Sequence, residues 1–331
     1  DVDVNFDKIT LSCNDQTAVG YSGSVQGNVI NITPQTDLEP VTEYTVQIDS
    51  GAVKDLAGNP FDTYTFSFKT DKRITWTKNL DEACNYLRGV AYNGSLYVAV
   101  GGDGTVKTSP DGSNWVSRIS GTSNQLNGIT WNNSQFVAVG SFGTVITSPD
   151  GINWTTQTTA TMEWLNDITW SSSQFVAVGG SGAVLTSPDG SNWTAQNSGI
   201  TEPLNAVAWN GSQFVAVGNN GTIITSSDGA SWKTQNSGTN KGLLGIAWGD
   251  SKFVAVDMSG KVYTSPDGTV WSVQDSGTKK YLQKVTWNGS QFAAVGASGT
   301  VLTSPDGINW TTQSSGTTKW IFGIGCGGGK Y

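Results

Sequence analysis

The chain has no histidine at all, three cysteines, two methionines and three arginines, Arg73, Arg88 and Arg118, and only 13% of its 331 residues are charged. Without histidine, serine or cysteine triads lose their commonest base. Zinc sites lose their commonest nitrogen ligand, so only carboxylates and carbonyls remain for hard ions such as calcium, and neither a metal nor a cofactor is expected. The scarcity of methionine and long charged side chains argues against helical bundles. A net charge of -8 with three arginines leaves no basic stripe for phosphates, so no nucleic-acid partner is expected. There is no run of about 18 apolar residues, so no membrane insertion is expected either. Cys13, Cys84 and Cys326 are odd in number and widely spaced, which is no disulfide framework. The chain opens on Asp1 with neither an initiator methionine nor an apolar leader, and is expected to be processed or a piece of a larger polypeptide.

What is present is periodic. The segment Ser148-Pro149-Asp150-Gly151-Ile152-Asn153-Trp154 recurs in related form from Ser109, Ser187, Ser226, Ser265 and Ser304, always 39 residues apart. A fixed period near 40 with strand-like content is the signature of a β-propeller or related array, whose units bury their faces only by stacking. One unit reads as four strands: Leu126 to Trp131, Gln135 to Val139, Thr144 to Thr147 and Trp154 to Gln157. The second is apolar on both faces, as a sheet sandwiched between neighbours requires. Units start at Leu87, Leu126, Leu165, Leu204, Leu243 and Leu282, and a seventh begins at Ile321. Ile74-Thr75-Trp76-Thr77 matches a fourth strand, so the expected fold is all-β, with seven four-stranded blades of which the last is incomplete and shares strands from both chain ends. An open blade leaves unpaired edges, so the chain is expected to continue past Tyr331.

Residues 1–71 do not follow the repeat. Val2 to Phe6, Val29 to Ile32, Tyr44 to Ile48 and Tyr64 to Lys69 alternate in polarity between Pro- and Gly-containing turns, which predicts a β-sandwich, with 72–331 as the propeller. The run Ser50-Gly51-Ala52-Val53-Lys54-Asp55-Leu56-Ala57-Gly58-Asn59-Pro60, followed by Thr65-Phe66-Ser67-Phe68, resembles the bacterial Ig-like domain of the SbsA type. Relative to that family the first strand and its Pro-Gly turn are missing, so the N-terminus also reads as cut.

The Ser-Pro-Asp-Gly-x-x-Trp segment falls on the turn between third and fourth strands. There an Asp can accept from nearby backbone N–H groups and the Trp can seal the blade. It resembles the Asp-box, or BNR, repeat of sialidases and Ycf48-like propellers, with the spacing changed by one residue. That resemblance implies a structural role, on the face away from any active centre, for Asp111, Asp150, Asp189, Asp228, Asp267 and Asp306. It also implies that sialidase chemistry would need three clamping arginines on different blades, which this chain cannot supply.

Two acids break the repeat on the opposite face: Asp167 where other first strands carry Gly or Ala, and Asp257 where other blades carry Gly. As a pair they are candidates for glycoside hydrolysis; as solvated surface variation they do nothing. The residue before each first strand is Tyr86, Gln125, Trp164, Pro203, Gly242, Tyr281 and Trp320, so aromatics gather at blades six, seven and one. With Phe142 in a neighbouring loop, they are the candidate ligand-binding residues, suited to sugar rings or a protein anchor; the alternative is that they cover adjacent strands. The expected function is a non-catalytic, secreted or cell-surface bacterial protein that binds a glycan or a surface protein. The alternatives are a polysaccharide-cleaving enzyme using Asp167 and Asp257, or a subunit of a homo-assembly completed through the unfinished blade. Asn-x-Ser/Thr sequons recur with the repeat and are expected to be bare. Cys84 and Cys326 lie near opposite ends of first strands, so no disulfide is expected between them.

Overall fold

The computed structural model describes residues 2–13, 17–26, 29–35, 43–55, 58, 60–69, 86–327 and 331. The chain divides into two compact units, Asp1–Thr75 and Trp76–Tyr331. Among the described residues the only helices are single 3-10 turns, and no helix is long and apolar enough to cross a membrane.

In the first unit, Ile9–Cys13, Glu43–Ile48 and Tyr64–Lys69 form a three-stranded antiparallel sheet, Val2–Val4 pairs with Val53–Asp55, and Tyr21–Gln26 forms a hairpin with Val29–Pro34. Period-two alternation sends Ile9 and Leu11 inward from one strand and Tyr44 and Val46 from its neighbour. They meet Ala52 in a core completed by Phe6, Tyr21, Ile30 and Ile32.

Among its described residues the second unit holds six four-stranded antiparallel sheets, each with its strands in chain order. We number them blades 1 to 6 from Leu87, Leu126, Leu165, Leu204, Leu243 and Leu282. Blade 2 is Leu126–Trp131, Phe136–Gly140, Val145–Ser148 and Thr155–Gln157. The fourth strand starts one residue later than the sequence predicts, because Trp154 is held in the turn by its indole N–H, which donates to the Gly151 carbonyl at 3.0 Å.

The Phe-Val-Ala-Val second strand explains the stacking. Phe136 and Ala138 join Val98, Val100 and Val106 of blade 1 in one core. Val137 and Val139, pointing the other way, join Leu165, Ile168 and Phe175 of blade 3 in the next. The pattern repeats between blades 3 and 4, 4 and 5, and 5 and 6. Each second-strand Phe also packs on its own blade's first-strand Trp, with centroids 4.3–4.6 Å apart for Trp209–Phe214 through Trp248–Phe253. In blade 1, Tyr92 and Tyr97 take these places at 4.3 Å.

Residues 321–327 sit between blades 6 and 1. The Ile321 N–H donates to Gly296 O at 3.0 Å, and the Cys326 thiol donates to Trp287 O at 3.0 Å. On the other side, a Cβ added at Gly323, Gly325 or Gly327 would strike Arg88, Val90 or Tyr92, and the Tyr97 hydroxyl donates to Gly327 O at 2.5 Å. The segment therefore fills the innermost place of a seventh blade, where the sequence predicts a first strand, but is not itself strand from 321 to 326. Alternating glycines let its backbone lie flat against blade 1. The proposed closing strand, Ile74 to Thr77, and Cys84 lie outside the described residues; Cys326 is a free thiol.

Candidate functional site

In a four-stranded meander the turn between third and fourth strands lies at one end of the blade. The turn between second and third, and the passage to the next blade, lie at the other. The repeated Ser-Pro-Asp-Gly-x-x-Trp turns occupy the first end. In blade 3, Asp189 Oδ1 accepts from the backbone N–H groups of Ser191 and Asn192, both at 2.8 Å, and from Ser187 Oγ; Oδ2 accepts from Asn192 Nδ2 at 2.7 Å. These donors favour the ionised form. Led by the backbone N–H groups of Asn192, Ser231 and Thr269 respectively, they push Asp189, Asp228 and Asp267 down to about 2. Asp111 and Asp150 fall further, led by the Asn114 and Asn153 N–H groups. At Asp306 burial opposes the shift as the largest single influence, but the donors from Asn309, Ile308 and Ser304 together outweigh it. Three of the six turns are also tied to the blade before them: Gln135 and Gln174 donate to the carbonyls of Asp189 and Asp228 at 2.6 Å, and Gln213 donates to that of Asp267. Gly190, at φ +77°, leaves room for Gln135 and Val137 of that blade. All six carboxylates are occupied in shaping their own turns.

Asp167 and Asp257 have separate structural partners. Asp167 Oδ1 meets Lys284 Nζ at 2.9 Å, with the side chains only 13% and 20% exposed, and Oδ2 accepts from Val207 N at 3.1 Å. Blades 3 and 6 are not neighbours, so this ion pair spans the centre of the ring. Asp257 is not a solvated surface residue but is fully buried. It accepts from Ser259 N and Lys261 N at 2.8 Å, from Ser259 Oγ, and from Tyr263 OH at 3.0 Å, which organises its own loop. Each departure from the usual small residue is thus matched by its own set of partners. Among the described residues no cluster of acidic or cysteine side chains could hold a metal ion.

The opposite end carries the aromatic residues. The carbonyls of Tyr86, Trp164 and Tyr281 accept from Gly102, Gly180 and Ala297 N–H at 2.8–2.9 Å, which fixes the backbone there. Their side chains, with those of Trp320 and Phe142, are between 44% and 63% exposed. Tyr281 meets Trp320 edge-on at 5.6 Å, Trp320 stacks with Phe322 at 5.9 Å and 26°, and Phe322 meets Tyr86 edge-on at 5.4 Å. Three of the predicted residues thus join into one strip across blade 6, segment 321–327 and blade 1. Trp164 does not join it but pairs with Phe142 at 6.1 Å.

Phe322 and Arg88 are the residues that the sequence reading missed. Every first strand is bulged at its second residue, and a bulge re-aims the side chain it carries. In blades 2, 3 and 4 that residue is asparagine, and Asn127, Asn166 and Asn205 donate to Leu165, Leu204 and Leu243 O of the next blade at 2.8–2.9 Å. In blade 1 it is Arg88, whose guanidinium carbon lies 5.4 Å from the Phe322 ring centre. Burial lowers the Arg88 pKa. Among the described residues, the buried side-chain polar atoms left without a hydrogen-bond partner are Arg88 Nε and Ser141 Oγ. One lies beside the strip and the other is next to Phe142. The repeat column Arg88, Asn127, Asn166, Asn205, Leu244, Gln283, Phe322 held the signal: its one cation and its one aromatic face each other across one blade junction.

Residues 2–70 match the family model of the bacterial Ig-like domain. The N-terminal unit is a bacterial Ig-like domain. No curated protein matches the chain. Among solved structures it is similar to YCF48 bound to D1 peptide, at 17% identity and TM-score 0.57 over 69% of this chain and 82% of that one. It is also similar to YCF48 from Cyanidioschyzon merolae, at 16% and 0.59 over 74% and 90%. The WD40 β-propeller domain of Doa1 aligns at 14% and 0.62 over 76% and 89%. At these identities the likeness establishes the fold, a β-propeller following the Ig-like domain, and not the activity.

Proposed function

We propose that the propeller is a non-catalytic binding module of a bacterial surface or extracellular protein, and that its ligand, a glycan, lies on the Tyr281–Trp320–Phe322–Tyr86 strip. The observation that carries this reading is the strip itself: contiguous aromatic rings, with Tyr281, Trp320 and Tyr86 exposed around a half-buried Phe322, on a face whose backbone is fixed by hydrogen bonds. Exposed aromatic clusters of this kind mark interaction sites rather than folding requirements. The two orphaned polar atoms on the same face add support, since each unsatisfied group in a packed molecule needs a reason. The Asp-box resemblance fits the same division of labour, with scaffold turns at one end and a binding face at the other. The Ig-like domain supports placement at or beyond the cell surface. A peptide ligand is the second reading, because a propeller of this fold, YCF48, has been solved with a D1 peptide.

The test is a glycan array and pull-down with the full chain and its Trp320→Ala/Tyr281→Ala variant. The expected outcome is loss of the bound glycans with an unchanged circular dichroism spectrum. Unchanged retention by the variant overturns the strip as the site.

A further inference from the structure

Arg88 is the one arginine of the aromatic strip, and its position makes its lack of partners informative. Its counterparts Asn127, Asn166 and Asn205 use their amides on the next blade's leucine carbonyl. Arg88 has replaced that staple with a longer, charged group whose Nε is buried without a hydrogen bond and which forms no ion pair among the described residues. An unpaired cation taken partly out of water is unfavourable until an anion completes it. The guanidinium is nevertheless held ready: it lies over Phe322, which is itself braced by Trp320 and Tyr86.

Resting on the strip as the binding face, we propose that the site takes a carboxylated sugar, a hexuronate within an otherwise neutral glycan, with Arg88 receiving the carboxylate and the neighbouring rings receiving the sugar faces. A guanidinium offers paired donors that match a carboxylate. A sugar ring stacked on an aromatic presents its carboxylate sideways, toward a cation seated among the same rings. The charge count points to a single carboxylate. The chain carries a net -8, which repels polyanions, and Lys284, near the centre of the ring, is already paired with Asp167. A sugar fits this face better than an extended peptide, since peptide capture by strand addition needs an exposed sheet edge and this end of the blades presents loops.

The experiment is a calorimetric titration of the full chain with an oligosaccharide containing one glucuronate among neutral sugars, and with its carboxyl-reduced counterpart. Peptides ending in a free or an amidated C-terminus run in parallel. The wild type is expected to prefer the glucuronate at least about tenfold, with the preference shrinking as salt rises. Arg88→Gln, which introduces the residue that blade 6 carries as Gln283, is expected to abolish the preference, and Arg88→Lys to restore only part of it. Trp320→Ala is expected to abolish binding of both sugars. Equal affinity for the two sugars, both lost in Trp320→Ala, overturns the carboxylate assignment and leaves the strip as a neutral-glycan site. A preference that survives Arg88→Gln overturns the role of Arg88. Binding only of the free-C-terminus peptide, lost in Arg88→Gln, overturns the sugar. No binding of any probe overturns this inference and counts against the strip reading as well.

Discussion

Phe142 stands in the left-handed region at φ 57°, where the matching loops carry Asp103, Ser181, Asn220 and Ser298. Short polar residues tolerate that conformation, whereas a bulky aromatic is strained there. A large ring kept more than half exposed in a strained position contributes little to folding. Phe142→Asn should therefore raise stability by about 0.5–1 kcal/mol in chemical denaturation. If Phe142 with Trp164 extends the binding face, the same variant weakens glycan affinity, and a substitution that both destabilises the fold and leaves binding intact would contradict this account. At this scale the candidate residues were legible because a repeat exposes its own exceptions: Tyr86, Trp164, Tyr281 and Trp320 stand out in a column. Arg88 and Phe322 stand in a column too, but their meaning depends on the bulge that aims them and on the closure that makes them neighbours, and neither is written in the local pattern.

The repeated turn is the element that answers to acid. For Asp189, Asp228 and Asp267 the folded pKa is depressed from the usual 3.8 to about 2. The stabilisation is therefore complete above about pH 4 and is lost as pH falls toward 2. These carboxylates are well exposed, so each contribution is small and salt-sensitive. Thermal unfolding followed from pH 6 to pH 2 should show a melting temperature that is level at first and then falls below about pH 4. An Asp189→Asn/Asp228→Asn/Asp267→Asn variant should start lower and fall less steeply; an equal slope in both would show that acid acts elsewhere. With no histidine in the chain, no imidazole titration adds a step between pH 5 and 8. The turn's role was legible because Ser, Asp, Gly and Trp at fixed offsets have local partners. The asparagine staples were not, since their acceptors are carbonyls one whole repeat away.

At the scale of the molecule, the blade count followed from the period, whereas the pairing of Asp167 with Lys284 did not. No sequence spacing says that the third residues of first strands in blades 3 and 6 meet across a ring centre. Both deviations were visible, an acid and a lysine where glycine or alanine is usual, but only closure makes them partners. Removing one member strands the other in a largely buried place, so Lys284→Met should cost about 3–5 kcal/mol in chemical denaturation. The double variant Asp167→Asn/Lys284→Met should recover most of that, and additive losses would show that the two side chains are not coupled. Solenoid arrays, whose units touch only their neighbours, come apart one unit at a time from whichever end frays. A bond between blades three places apart links two arcs of the circle at once, so the interfaces of blades 3 to 6 should gain and lose protection from hydrogen exchange together, as one cooperative block rather than as a row of independent plates.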